Sequence, residues 1–369
     1  MQDLNFMKNQ KISARQVKRT LTLELLGIST LLLPSFVASH SGVDGFFALA
    51  VGGICALLLL CFWKKYFQND CFFSCIDGIV AIIRIPIQFF YGIGFLGIAG
   101  YTLYLLTSLI EKQLLGKNFE PVIVLTLTAT AFFGLLRGLE CRVRVYEVLY
   151  YFLIIPLLVI LGLACTGVDP NAWTQVAVSS APKFAESCYV SFLFFSGISL
   201  YTLFQSSCKN VKAAYRGTKH ALFVVLGLNL VIYLILLGVF QSELLAHLDW
   251  PVIDLMAVVK LPGNFLERQD ALMVGIWFFC LFAFLDSMLF YAIECMIKIQ
   301  IIKKQQNSHR KKWLLTGVLT MVVFIIALIL LHDETLAKWL FFAYLCGVLP
   351  IMLFLPIFVG LVRKADRKA

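Results

Sequence analysis

Ten apolar stretches, each long enough to cross a bilayer, recur along the 369 residues and limit what this chain can fold into. A hydrocarbon core about 30 Å thick takes roughly 20 apolar residues per helix. The stretches run approximately over residues 16–40, 43–63, 76–110, 121–137, 144–166, 186–206, 217–240, 268–297, 313–331 and 336–362. They are continuous apolar runs, whereas membrane barrel strands alternate in polarity over about 10 residues, so helices carry the fold. Hydrophobic residues make up 60% of the chain and charged residues 14%, which leaves little material for a soluble surface. The reading is an all-α, multi-pass membrane protein. No Ser/Gly-rich linker or change of composition divides the chain, so residues 1–369 are expected to form a single transmembrane domain.

Lysine and arginine positions set the expected orientation, because short cytoplasmic loops collect them. With a cytoplasmic N-terminus, 24 of the 31 fall on the cytoplasmic side, six on the opposite side, and Arg84 lies within a span. Both termini are therefore expected in the cytoplasm. The net charge of +10 follows from this topology and from attraction to anionic membrane lipid. It does not call for a nucleic acid partner. The first stretch contains Glu24 and Pro34 and has no small-residue cleavage site, so it reads as a retained helix. The 11 cysteines are scattered. The CFFSC run at 71–75 has no second ligand pair, so no metal is expected. The stretches 167–185 and 241–267 contain prolines and read as outward loops with short interfacial helices.

Gly27-Ile28-Ser29 interrupts the first stretch, and a second Gly-Ile-Ser at 197–199 interrupts the sixth, 170 positions later. Glycine weakens a helix, and Pro34 removes a backbone donor, so discontinuous helices are expected at both places. Matched interruptions in two halves of a membrane protein point to a small-molecule site at the midplane. Alternatively, these are small residues that let helices pack closely. Five helices per half is an odd number, so the second half enters from the opposite side. The expected architecture is ten transmembrane helices in a 5+5 inverted repeat, about 16–166 and 186–362, with the first and sixth helices discontinuous.

This arrangement resembles the fold shared by the amino acid, polyamine and organocation transporters. GISTLLLPS in the first stretch, GVDGFFALAVGG in the second and LERQDALMVGIW at 266–277 sharpen the likeness. Together they resemble the spore germination permeases, the integral membrane B subunits of nutrient germinant receptors. The resemblance spans nearly the whole chain. It implies a subunit of the cell membrane or spore inner membrane that binds an amino acid or other small nutrient. It also implies partners, an A-type membrane subunit and a C-type lipoprotein.

Backbone groups and hydroxyls of Gly27, Ile28, Ser29 and Thr30, with Ser196, Gly197, Ile198 and Ser199, are the candidate ligand contacts. Half-helix ends can take both charges of an amino acid zwitterion. Tyr91 and Tyr101 lie on an aromatic and glycine face of the third stretch, where core packing is the plainer reading. Acids within a span are costly and suggest function. Glu24, one turn before Gly27, is a candidate for a ligand ammonium or a proton. Asp286 and Ser287 are candidates for a cation or proton site, as the resemblance to sodium-coupled transporters implies. Arg84, Glu147 and Glu294 read as paired or snorkelling near helix ends. Glu267, Arg268 and Asp270 form a charge cluster at the start of the eighth stretch.

Enzyme chemistry finds no support. HExxH, a phosphate-binding glycine loop and GxSxG are all missing, and the five histidines are far apart. No cofactor is expected. The sequence leaves two functions, a receptor subunit that senses an amino-acid-like germinant and an amino acid transporter.

Overall fold

The computed structural model describes residues 12–66, 81–116, 119–174, 179–198, 200, 208, 210–258, 269–302 and 309–366. Among them the elements are helices: α1 (Ala14–Ser41), α2 (Gly45–Tyr66), α3 (Ala81–Ile110), α4 (Glu120–Leu136), α5 (Leu139–Ala164), α6 (Ala181–Ser196), α7 (Val211–Leu245), α8 (Pro251–Val258), α9 (Gln269–Ile302), α10 (His309–His332), α11 (Glu334–Ala343) and α12 (Leu349–Asp366). Seven helical stretches among the described residues are long and apolar enough to cross a membrane, one of which runs through both α1 and α2. The protein is a multi-pass membrane protein. Most helix ends fall within five residues of the apolar stretches; α5 and α6 start five residues before the expected 144 and 186, α7 starts six before 217, and α6 ends ten short of 206.

α1 is the central element. Ser13 caps it through a capping box with Gln16, whose backbone N–H donates to Ser13 Oγ at 3.3 Å while Gln16 Oε1 accepts from Ser13 N at 2.9 Å. Gly42, at φ 52°, ends it in a conformation that glycine adopts without a Cβ penalty. Nearly every residue from Thr20 to Pro34 is buried, as expected of a helix apolar on all sides. Helices α5, α6, α7 and α9 surround it.

The expected break in the first helix does not occur: α1 is α-helical from Ala14 through Ser41. A Cβ on Gly27 would lie 2.8 Å from Cys280 Cβ and 3.1 Å from the Leu281 backbone nitrogen. Gly27 therefore lets α1 approach the α9 backbone, and that packing offsets the roughly 1 kcal/mol that a mid-helix glycine costs. Pro34 removes a single ladder bond and leaves the helix intact. The sixth stretch behaves as expected at its glycine, since α6 ends at Ser196 and Gly197-Ile198 continue in a 3₁₀ turn. Beyond it, Ile12 pairs with Cys208 in an isolated bridge.

The expected outward loops hold short helices, a 3₁₀ turn at Pro170–Trp173 and α8. Cys71, Cys75, Ser199, Glu267 and Arg268 lie outside the described residues.

Candidate functional site

A cavity of about 70 Å³ lies beside α1 at its crossing with α6 and α9. Leu21, Glu24, Leu25 and Ile28 reach it from α1, the i, i+3, i+4, i+7 stripe of one helix face. Leu193, Phe194, Gly197 and Ile198 come from the end of α6, and Phe284, Met288 and Tyr291 from α9. Phe341 and the π-helical turn Tyr344–Val348, through Tyr344 and Leu345, close the remaining side. Glu24 is the only charged side chain among the described residues of this lining. The carbonyl end of α6 terminates at the same wall, adding the negative end of a helix dipole. Charge and dipole both favour a cationic group, and apart from the hydroxyls of Tyr291 and Tyr344 the other lining side chains are apolar.

Of the sequence candidates, the structure brings Glu24, Ile28, Gly197 and Ile198 to this cavity. The other described candidates serve packing and internal hydrogen bonds. Ser29 Oγ accepts from Asn229 Nδ2 at 3.0 Å. Thr30 Oγ1 accepts from Trp277 Nε1 at 2.9 Å and donates to Leu26 O at 2.6 Å. Ser196 Oγ donates to Leu193 O at 3.0 Å. Tyr91 is fully buried in the core and donates to the Met352 carbonyl at 2.7 Å, so the packing reading applies to it. Gly27 is spent on the contact with α9, and Tyr101 stacks on Phe341 outside the cavity, with ring centroids 4.5 Å apart.

Behind Glu24 runs a buried polar network that links three helices. Ser287 Oγ donates to Glu24 Oε1 and accepts from Arg142 Nη2 at 3.2 Å. Arg142 Nε and the Tyr146 hydroxyl both donate to Asp286 Oδ2, and the guanidinium lies 4.9 Å from the Phe290 ring centroid. Asp286 and Ser287 thus sit together as the sequence suggested, but the Asp286 carboxylate is already neutralised by a guanidinium. A cation at this place would have to displace or be repelled by Arg142.

Sequence reasoning missed Arg142, placing it in a loop before a helix expected at 144. Because α5 begins at Leu139, Arg142 lies in its first turn and is 5% exposed. The signal was Arg142 and Tyr146, an i, i+4 polar pair on one helix face. Glu147 and Glu294 are paired, Glu147 with Arg19 and Glu294 with Lys312 at 3.8 Å.

On the side away from the N-terminus of α1, a wider space of about 400 Å³ contains Tyr101, Tyr104, Lys112, Asp249, Trp250, Glu334 and Lys338. Lys112 stands 3.8 Å from Glu334 Oε1, 3.9 Å from Asp249 Oδ2 and 5.1 Å from the Trp250 ring centroid. Phe194, Phe341 and Leu345 line both this vestibule and the central cavity. One layer of apolar side chains therefore separates the two spaces, with Phe194 and Phe341 centroids 6.0 Å apart.

The fold is similar to solved transporters. A Na+-coupled sialic acid symporter in a substrate-bound, outward-open state superposes with a TM-score of 0.68 at 12% identity, over 95% of this chain and 78% of that one. A nucleobase-cation-symport-1 family transporter, closed with bromovinylhydantoin bound, gives 0.65 at 13% identity, over 94% of this chain and 78% of that one. By sequence the chain is similar to spore germination protein A2 of Bacillus subtilis (strain 168), 23% identical over 69% of this chain and 71% of that protein. Spore germination protein B2 of the same organism is 20% identical over 97% of this chain and 96% of that protein. The sequence profile described as Spore germination protein matches residues 11–358. With its helical fold and the match to that profile along nearly its whole length, this chain belongs to the spore germination protein family.

Proposed function

We propose that this chain is the ligand-binding subunit of a nutrient germinant receptor. It holds a small amino-acid-like germinant in the cavity beside Glu24 and passes the signal to an A-type membrane subunit and a C-type lipoprotein. The observation that carries this reading is a single buried carboxylate in an otherwise apolar cavity, beside the carbonyl end of α6. That combination suits an ammonium group attached to a short apolar body. One water needs about 10–15 Å³, so the cavity takes roughly five to seven water-sized groups, the bulk of alanine. The Tyr344 hydroxyl, which donates to Met352 Sδ at 4.0 Å, is the candidate donor to a ligand carboxylate.

The proposed architecture is the 5+5 inverted repeat in one transmembrane domain, in the cell membrane or spore inner membrane, with both termini cytoplasmic. Its packing supports the repeat. If the first five crossings map onto the second five, the α1–α7 contact maps onto α6–α2, and α3–α9 and α4–α10 map onto themselves. All four are among the main helix contacts. Neither an enzyme activity nor a cofactor is part of this reading.

The test is binding of L-alanine to the purified protein in lipid nanodiscs, followed as a shift of thermal stability. Wild type is expected to be stabilised in a dose-dependent way and Glu24→Gln to lose the shift. No shift with any small amino acid, or an equal shift in Glu24→Gln, removes Glu24 from the site.

A second reading, an amino acid transporter, is favoured by one observation, the single layer between vestibule and cavity formed by Phe194, Phe341 and Leu345. Opening so thin a layer requires only side-chain and local helix motion. Saturable uptake of radiolabelled L-alanine into proteoliposomes containing this protein alone would select the transporter, and binding without uptake would select the receptor.

A further inference from the structure

Glu24 stands between two cavities. Toward the N-terminal end of α1 lies a second one of about 20 Å³, bounded among others by Thr20, Glu24, Arg142, Tyr146 and Ser287. A water needs about 10–15 Å³ by this measure, so the space suits one water. Thr20 Oγ1 and Arg142 Nη1, both from its lining, are buried polar atoms with no hydrogen-bond partner among the described residues. Thr20 is 9% exposed and Arg142 5%. A water placed in this space would have three polar neighbours, the Arg142 guanidinium, the Thr20 hydroxyl and the Glu24 carboxyl.

The charge count around Glu24 is uneven. α5 presents Arg142 and Tyr146, and α9 presents Asp286, Ser287 and Tyr291. From the central cavity Tyr344 faces it as well, while the lining residues of α3 and α6 carry no ionisable group. Arg142 is committed to Asp286. Among the described residues two carboxylates therefore share one guanidinium, and an ionised Glu24, 4% exposed, would be a buried charge without its own counterion there. A proton neutralises it, and so does an ammonium group in the central cavity.

We propose that Glu24 is a proton-exchange site with a bound water at Thr20 and Arg142 as its outlet. Ligand-free protein holds Glu24 as the neutral acid. When an ammonium-bearing ligand enters the central cavity, the carboxyl O–H bond breaks, its electron pair stays on the carboxylate, and the proton passes to the water oxygen and leaves toward the N-terminal side of α1. The ligand forms an ion pair and changes no covalent bond, so one positive charge enters the site and one leaves it. The exchange rests on the ligand site proposed above; the protonated state and the water outlet do not.

The experiment is infrared spectroscopy of the full-length protein in nanodiscs. Ligand-free protein is expected to show a protonated-carboxyl stretch that Glu24→Gln removes. Transfer to D2O should shift that band, at least tenfold more slowly in Thr20→Val. Thr22→Val is the control, because Thr22 Oγ1 is already bonded to the Lys18 carbonyl at 2.8 Å. Methylammonium or L-alanine should bleach the band. Its absence from ligand-free protein overturns the proposal, as does equal exchange in Thr20→Val and wild type. If the probes raise thermal stability but leave the band in place, the exchange is wrong and the ligand site stands. If neither probe binds, the ligand site and with it the exchange fail, and the D2O result alone decides the protonated state and its water outlet.

Discussion

Arg142 on α5 and Asp286 on α9, 144 positions apart in sequence, form an ion pair in the protein interior, their side chains 5% and 4% exposed. Through Ser287 the same guanidinium is connected to Glu24 at the edge of the central cavity. Three helices, α1, α5 and α9, thus share one polar cluster.

Breaking this pair from one side leaves a buried charge uncompensated. Arg142→Met and Asp286→Leu are each expected to cost about 3–5 kcal/mol, while the two combined recover most of that loss. Thermal denaturation in detergent, followed by loss of the monodisperse chromatographic peak, checks the order of the three variants. A double variant as unstable as the sum of the singles would show that the two residues do not act as a pair.

The two Gly-Ile-Ser glycines should answer differently to the same substitution. Gly27→Ala drives a methyl to 2.8 Å from Cys280 Cβ and 3.0 Å from a backbone carbon, so destabilisation by about 1–3 kcal/mol is expected. Gly197→Ala meets nothing within 4 Å and keeps an ordinary helical conformation at φ −51°. It should leave stability unchanged and weaken L-alanine binding by narrowing the cavity. Thermal melts and binding curves on the two variants separate packing from ligand contact.

Gln241 has φ 59° and ψ 165°, a region that glycine alone occupies readily, inside α7. Such a backbone costs about 1–3 kcal/mol. Gln241→Gly is expected to raise stability by roughly 1 kcal/mol after the added freedom of the unfolded chain is deducted. Gln241→Ala should not, because it keeps a Cβ. The comparison of their melting temperatures is the measurement.

Two aspartates outside the membrane-spanning segments should respond to acid in opposite directions. Asp333 caps α11, accepting from the Thr335 hydroxyl and from the backbone N–H groups of Thr335 and Leu336, and these bonds hold its carboxyl below the usual value. Its stabilisation is present above the unfolded value of about 3.9 and is lost as pH falls through the lower folded value. Asp254 on α8 is raised by burial and then by Asp249, so its contribution is full below about 3.9 and is lost as pH rises through the raised value. Protection factors of the first-turn amides of α11, with the intrinsic pH dependence of exchange divided out, should fall on acidification in wild type and stay constant in Asp333→Ala. Asp254→Asn should flatten the opposite drift in α8.

The sequence determined the fold class, the positions of nearly all the helices and the family, because apolar stretches of membrane length and loop charge are local properties that survive any packing. It also marked Glu24 and the Gly197 turn, since an acid within a span and a glycine at a helix end are unusual wherever they stand. The meaning of the Gly-Ile-Ser pair depended on the tertiary structure. Gly27 faces the α9 backbone and Gly197 faces open space, so one motif serves packing and the other a cavity wall. The same holds for Arg142, whose burial follows from where α5 begins and from its meeting Asp286 across 144 residues. Pairings of that range, and the emptiness or fullness beside a glycine, are set by which helix faces meet, and hydropathy along the chain carries no record of those meetings.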